Sequence, residues 1–266
     1  MKFDNIIVYN FDGAIHGMRN PLESWEKSDT ETGICSIEDF AAIARAHLSK
    51  WGRDYPTGQE QVSALLDIIL YNDGENALYT SIGPKDMKLM QNLIQGGTEH
   101  RKFMRQIFVT VDITAPLYWW KEFDTYKVGT VANSTSTMHK LASEPITIDC
   151  FEIGDFNRDL KVYDRAPQSE DSTINDIWLN AISNCETLRQ RYIQTGDKRY
   201  WKELIRLLPE SWLQTRTVTM NYENIRSIVE QRKNHKLNEW SGQDDPLLPN
   251  FIKFAMQLPY AKDLLF

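Results

Sequence analysis

Residues 116–141 read PLYWWKEFDTYKVGTVANSTSTMHKL, and the rest of the chain can be placed around this stretch. Pro116 suits the start of a helix, and three apolar residues then share one face: Leu117, Trp120 and Phe123. Farther on, residues 133–137 are five short polar residues between apolar neighbours. They predict a loop of hydroxyl and amide groups that can receive a polar ligand, with an ordinary Ser/Thr-rich turn as the alternative.

The bulk composition points to a protein that handles small molecules. The chain has 266 residues, 41% hydrophobic and 25% charged, with a net charge of -7. An acidic balance disfavours binding to a nucleic-acid backbone, and no apolar run is long enough for a membrane span. The start of the chain lacks the apolar region of a secretion signal. Together these features predict a cytoplasmic enzyme or binding protein with no nucleic-acid or membrane partner.

Cysteine and histidine usage predicts no metal site. Cys35, Cys150 and Cys185 are far apart and form no CxxC pair, which favours reduced thiols. His100 and His139 have no metal-type partners nearby in the sequence.

The hydrophobic periodicity predicts one α+β domain, with a mixed or antiparallel sheet flanked by helices. Residues 10–32 are predicted to be irregular. Strands are predicted at residues 3–9, 106–114, 145–153 and 215–220, and helices at 37–51, 59–71, 84–94, 173–195, 198–208, 221–232 and 248–257.

Three segments together resemble the flavin-dependent thymidylate synthases, the ThyX family. The first is KDMKLMQNLIQGGTEH at residues 85–100, with the strand after it. The second, WWKEFDTYKVGTVANSTSTMHK at residues 119–140, occupies the place of the family signature RHRxxSxNExSxR. The third is IRLLPESWLQTRTVTMNYENIRSIVEQRKNHKLNEW at residues 205–240. The resemblance implies a single ThyX-like domain over residues 1–266, with a helical insertion at about residues 34–82.

The resemblance also implies roles for residues of this chain. FAD-binding positions would be Tyr126, Lys127, Asn133, Asn221 and His235. Positions for dUMP would be Arg206, Arg232, Glu122, Ser134 and Ser136, and Ser136 is also a catalytic candidate. Other roles remain open for four of these residues. Arg206 and Arg232 could be surface side chains, His235 could be solvated, and Ser136 could cap a turn. The Trp119–Trp120 pair fits a core or subunit interface better than a stacking platform.

The signature itself is rewritten here. Thr125, Tyr126 and Lys127 stand where the family has Arg, His and Arg, and Met138 replaces the last arginine. Glu223 stands where a flavin-binding arginine is common. Each lost charge-assisted hydrogen bond is worth about 1.5–3 kcal/mol, so the site must be either rebuilt or disabled. Basic residues near these positions could compensate in part: Lys127, Lys140, Arg226, Lys233 and Lys236.

The function implied by the resemblance is reductive methylation of dUMP to dTMP by a homotetramer. FAD would be the cofactor, and NADPH and methylenetetrahydrofolate the co-substrates. Two alternatives are a diverged enzyme for another pyrimidine nucleotide and a non-catalytic homologue that keeps the fold without the flavin.

Overall fold

The computed structural model describes residues 1–51, 69–72, 74–163 and 172–266. These residues form two compact units. The larger unit comprises Phe3–Asp112, Tyr126–Ala132 and Thr217–Phe266, and the smaller unit comprises Met1–Lys2, Ile113–Thr125 and Asn133–Arg216. The single domain over residues 1–266 stays a prediction.

Strands and helices both occur throughout the described residues. The strands are β1 (Lys2–Tyr9), β2 (Glu31–Ser36), β3 (Ile69–Asn72), β4 (Asn76–Ser81), β5 (Phe108–Pro116), β6 (Val131–Ser134), β7 (Lys161–Tyr163), β8 (Ser172–Thr173) and β9 (Leu213–Asn221). The helices are α1 (Phe11–Arg19), α2 (Ile37–Lys50), α3 (Pro84–Gln95), α4 (Leu117–Phe123), α5 (Thr137–Lys140), α6 (Ile174–Thr195), α7 (Lys198–Leu207), α8 (Tyr222–Arg232), α9 (Asn238–Ser241), α10 (Phe251–Met256) and α11 (Ala261–Leu264). Short 3-10 helices lie at Asn20–Leu22, Trp25–Lys27, Arg101–Gln106 and Ile148–Cys150.

The strands form three sheets. The main sheet has the order β1-β5-β9-β6, a second antiparallel sheet has the order β2-β4-β3, and β7 pairs with β8. This arrangement confirms the predicted α+β class. No helix that the structure describes combines the length and the apolar character needed to cross a bilayer.

Strand β5 shows how the sequence builds the main sheet. Its residues alternate between polar and apolar, and the buried set is Val109, Val111, Ile113 and Ala115. The opposite face pairs hydroxyl groups with β9. Thr110 Oγ1 lies 3.1 Å from Thr219 Oγ1 in the larger unit, and Thr114 Oγ1 lies 2.8 Å from Thr215 Oγ1 in the smaller one. A period of two is what a strand with one buried face requires.

Each unit has its own core. The larger unit buries α8 through Tyr222, Ile225, Ile228 and Val229. The smaller unit buries one face of α4, with Trp119 and Trp120 0% and 1% exposed. Of the two predicted places for this pair, a core or a subunit interface, the structure shows the core. A second cluster in the smaller unit contains Leu141, Ile146, Phe151, Cys185 and Leu204.

Several sequence predictions were wrong. The region 10–32 is not irregular, because Phe11, Ala14, Ile15 and Met18 recur at helical spacing and form the buried face of α1. The predicted strand at 145–153 is instead a 3-10 turn, Ile148–Cys150. There the backbone N–H of Ile146 donates to the Glu186 carboxylate at 2.8 Å, in place of a neighbouring strand.

The segment predicted as a helical insertion contains strands as well as a helix. Helix α2 is confirmed, and β2 and β4 pair beside it. The predicted helix 59–71 lies outside the described residues as far as residue 68, and its last part belongs to strand β3. Farther along the chain, strand β6 ends at Ser134 and α5 begins at Thr137, so the predicted polar loop 133–137 is much shorter than expected.

A buried ion pair ties α1 to α3 within the larger unit. Asp86 is 0% exposed, and its Oδ1 accepts from Arg19 Nε at 2.7 Å. Its Oδ2 accepts from the hydroxyls of Ser28 at 2.6 Å and Thr30 at 2.7 Å. Burial would raise the pKa of Asp86, but these hydrogen bonds and the Arg19 charge outweigh burial and hold the pKa below its usual value.

We expect Asp86→Asn to destabilise the protein by about 3 kcal/mol, because it leaves the Arg19 guanidinium buried without its counter-ion. A lowered folded-state pKa means that the Asp86 contribution is complete above the unfolded pKa of about 3.9 and is lost as the pH falls through the folded value. Urea unfolding at pH 7 and pH 3 should therefore show a smaller difference between variant and wild type at pH 3. The exposed Asp4→Asn is the control, and an equal loss of stability in both variants would contradict the prediction.

Candidate functional site

A cleft of about 580 Å³ opens in the larger unit at the start of α8. This volume lies within the range of small-molecule sites, roughly 300–1,000 Å³. The cleft combines positive, amide and hydroxyl groups, and its lining residues are Thr98, Arg101, Arg105, Val128, Gly129, Asn221, Glu223, Asn224 and Ser227. A second cavity in this unit, of about 140 Å³ beside His16 and Trp25, is too small for a nucleotide.

The start of α8 is fixed by a reciprocal cap. The Asn221 side chain accepts from the backbone N–H of Asn224 at 2.9 Å, and the Asn224 side chain accepts from the backbone N–H of Asn221 at 3.2 Å. Asn221 therefore caps α8, and the helix predicted at residues 221–232 is confirmed. The Asn224 side chain also donates to the carbonyl of Val128 at 2.7 Å, which holds the loop 126–130 against the helix.

Gly129 allows this loop to approach the cap. Its φ is +79°, in the left-handed region, and a Cβ here would lie 2.8 Å from Asn224 Oδ1 and 3.0 Å from Asn221 Nδ2. The position therefore excludes a side chain both by backbone conformation and by the space available.

Two arginines and one glutamate carry the charges that line the cleft. Arg101 Nε donates to Glu223 Oε1 at 3.0 Å, and Arg105 Nε donates to Glu223 Oε2. Burial would raise the pKa of Glu223, but the hydrogen bonds from Arg105 and Arg101 and their charges outweigh it and lower the pKa. The same interactions raise the pKa of Arg105. The described part of the lining thus holds two positive charges against one negative charge, a net charge of +1.

Helix α8 ends in an aromatic cluster that contains three of the predicted site residues. Arg232 Nε donates to the Tyr126 hydroxyl at 2.8 Å. The Arg232 guanidinium carbon lies 4.8 Å from the ring centre of Trp240 and 5.6 Å from that of Tyr126. The His235 ring meets Trp240 edge-on, with ring centres 6.4 Å apart. Arg232 is therefore held by specific contacts, unlike a surface arginine that only shields its helix.

Solved structures with the same fold support the resemblance seen in the sequence. A crystal structure of the flavin-dependent thymidylate synthase ThyX from Helicobacter pylori, complexed with FAD and dUMP, aligns with 99% of this chain and 98% of its own, with a TM-score of 0.54 and 13% identity. The chain has the fold of the flavin-dependent thymidylate synthases. A second structure of the Helicobacter pylori enzyme with FAD and dUMP, at 2.31 Å resolution, aligns with 99% of this chain and 97% of its own, with a TM-score of 0.53 and 13% identity.

No protein-family model matches the sequence, and no curated protein matches it either. The ThyX likeness is therefore a likeness of fold, reached with 13% of residues identical.

The larger unit of this ThyX-like fold holds Tyr126, Lys127, Asn221, Arg232 and His235. Asn221 lines the cleft, Lys127 is exposed, and the other three surround Trp240.

The other predicted residues lie in the smaller unit. Asn133 and Ser134 are exposed on β6, and Glu122 is half-buried in α4. The carbonyl of Ser136 accepts from the Lys140 backbone N–H at 2.9 Å and begins the turn of α5. Arg206 is 58% exposed and donates to Glu203, three residues before it, at 2.5 Å. The structure thus shows a local ion pair for Arg206.

Sequence reasoning missed Arg101 and Arg105, the two cationic residues of the cleft. None of the five basic residues proposed as compensation lines it. Arg226, for example, pairs with Glu230 at 2.8 Å and donates to the Leu264 carbonyl at 3.2 Å. The basic run HRKFMR at residues 100–105 is visible in the sequence. Its place in the cleft, however, depends on contact with Glu223, more than a hundred residues away.

We expect Gly129→Ala to destabilise the protein by about 1–3 kcal/mol, because it combines an unfavourable φ with a clash against the α8 cap. The control is Gly97→Ala, at a φ of +93° with no atom within 4 Å of the added Cβ. Chemical denaturation should show a larger loss for Gly129→Ala than for the control. Equal losses would mean that the close approach of the loop to the cap contributes nothing.

Proposed function

We propose that the protein is a flavin-dependent enzyme that reductively methylates dUMP, or a closely related pyrimidine nucleotide, with methylenetetrahydrofolate and NADPH as co-substrates. The observation that carries this proposal is the cationic cleft at the start of α8. Although the signature arginines are replaced and Glu223 adds a negative charge, Arg101 and Arg105 restore positive charge beside it. The ThyX-like fold supports the same assignment.

The side chains of the cleft fit the phosphate-bearing part of FAD. Guanidinium groups match phosphate oxygens in geometry and charge, and amide and hydroxyl groups supply further donors. We assign this contact to Arg101, Arg105, Asn221 and Ser227. The remaining FAD positions that we propose are Tyr126, Lys127, Asn133 and His235. When bound, FAD would supply the hydride for the reduction.

The proposed nucleotide contacts are Arg232, Arg206, Glu122, Ser134 and Ser136. Arg232 is the best prepared of them, because its Nε donates to the Tyr126 hydroxyl and its guanidinium carbon lies 4.8 Å from the ring centre of Trp240 and 5.6 Å from that of Tyr126. A side chain held in this way loses little conformational freedom when it binds an anion. The work of the protein is then to bind and orient the flavin and the nucleotide, and Ser136 is not required as a nucleophile. We further propose a homotetramer that acts in the cytoplasm.

One observation favours a second candidate, a diverged member for another nucleotide or a binding protein without catalysis. Arg206, the proposed phosphate anchor, is exposed and paired with Glu203. A nucleotide phosphate would have to compete with Glu203 for Arg206. Arg206 is therefore less ready to bind a phosphate than Arg232.

The first experiment is to titrate the purified protein with FAD and follow the flavin absorbance near ~450 nm, then to add dUMP. We expect Arg105→Gln to weaken FAD binding by about tenfold, the value for one partly exposed charge-assisted hydrogen bond. Arg199→Gln removes a comparable exposed charge, paired with Asp197 in the smaller unit, and should leave FAD binding unchanged.

Turnover of dUMP to dTMP with methylenetetrahydrofolate and NADPH would establish the synthase. Flavin binding without this turnover would favour another nucleotide. If saturating FAD produces no bound flavin, the flavin-dependent proposal is wrong.

A further inference from the structure

The side-chain amide of Gln214 binds the chain on both sides of Ser136, within the smaller unit. Gln214 lies on β9, and its Nε2 donates to the carbonyl of Thr135 at 3.0 Å and to Thr137 Oγ1 at 3.3 Å. The backbone N–H of Thr135 also donates to the carbonyl of Thr215, at 2.9 Å. Both neighbours of Ser136 are therefore hydrogen-bonded to the same strand, and the backbone at Ser136 is held between them.

Arg216 determines which end of this amide faces the segment. Arg216 Nε donates to Gln214 Oε1 at 3.0 Å, and a guanidinium group can only donate. The amide oxygen must therefore face Arg216, which leaves the two N–H groups of Nε2 for Thr135 and Thr137. The carbonyl of Thr135 can only accept, so it requires the same orientation of the amide.

The smaller unit in turn holds Arg216 in place. Its guanidinium carbon lies 4.2 Å from the ring centre of Trp120, which is 1% exposed, and its Nη1 donates to Asp124 Oδ1 at 2.7 Å. Trp120 Nε1 donates to the backbone carbonyl of Gln214 at 3.0 Å. The buried indole ring thus contacts Arg216 and also binds the backbone of Gln214, so the two side chains keep one mutual arrangement.

We infer that Gln214 is a positioning residue that sets the orientation of Ser136 for the nucleotide, and that Arg216 acts through Gln214. The inference rests on the proposed function, which makes Ser136 a nucleotide contact. Because Gln214 orders the segment before the nucleotide arrives, binding at Ser136 loses less conformational entropy. Neither Gln214 nor Arg216 has to touch the nucleotide for this effect.

The test measures the affinity of the protein for dUMP by calorimetry in the presence of FAD. Gln214→Met keeps a neutral side chain of similar length and removes both hydrogen-bonding ends of the amide. It should weaken dUMP binding about fivefold, within the range for one lost neutral hydrogen bond, and so should Ser136→Ala. The double variant should bind no more weakly than either single variant, because Gln214 acts through Ser136. Gln194→Met, at an exposed position of α6, is the matched control and should leave dUMP binding unchanged.

Two further measurements separate positioning from a general loss of structure. Thr137→Val is a milder second variant that removes one of the two bonds from Gln214, and it should weaken dUMP binding about twofold. In turnover assays, Gln214→Met should raise the KM for dUMP about fivefold and leave kcat at saturating dUMP nearly unchanged, since Ser136 contributes binding alone.

The outcomes distinguish the inference from the proposed function. If dUMP affinity is unchanged in Gln214→Met, or if the losses multiply in the double variant, the inference is wrong and the proposed function stands. A fall in kcat with an unchanged KM would overturn the inference in the same way. If the wild type binds neither dUMP nor UMP, the proposed function fails, and the inference fails with it.

Discussion

The candidate site depends on the transition from strand β9 to helix α8 at Asn221. There the chain leaves the main sheet, and the Asn221–Asn224 cap supplies partners for backbone groups that a helix start leaves unsatisfied. The same amide of Asn224 binds the carbonyl of Val128, so a single contact network positions both the helix and the loop across from it. Glu223 lies between the two cap residues, and its orientation toward Arg101 and Arg105 follows from the start of the helix.

Under the proposed function, the positive charge of the flavin site comes from sequence positions outside the family signature. Positions expected to be cationic are Thr125, Glu223 and Met138. The cations instead come from the 3-10 helix Arg101–Gln106, which lies against the start of α8. Because phosphate recognition needs donors at the right distance and has no requirement for chain order, a rewritten signature by itself does not mean a lost site.

Much of the fold could be predicted where one element carries its own signal. The period of β5, the cap of α8 and the threonine cap of α6 all depend on residues within a few positions of one another. The predictions failed where distant partners decide. Residues 145–153 have strand-like composition, but a carboxylate from α6 takes the backbone N–H of Ile146. The role of Arg101 and Arg105 in the cleft likewise depends on their ion pairs with Glu223, which lies on another element. Helix α1 is different, since its apolar spacing was visible in the sequence and was missed.

The chemistry of the cleft lining has a consequence for how binding responds to acidity. Among the residues that the structure describes, the cleft lining includes no histidine and no cysteine. The pKa of Glu223 is lowered and that of Arg105 is raised, so both move away from neutrality. The lining therefore acts as an electrostatic background that stays constant across the physiological pH range. The bridging phosphates of the proposed flavin have no second ionisation near neutrality, unlike a phosphate monoester, so their binding here would be insensitive to pH over this range.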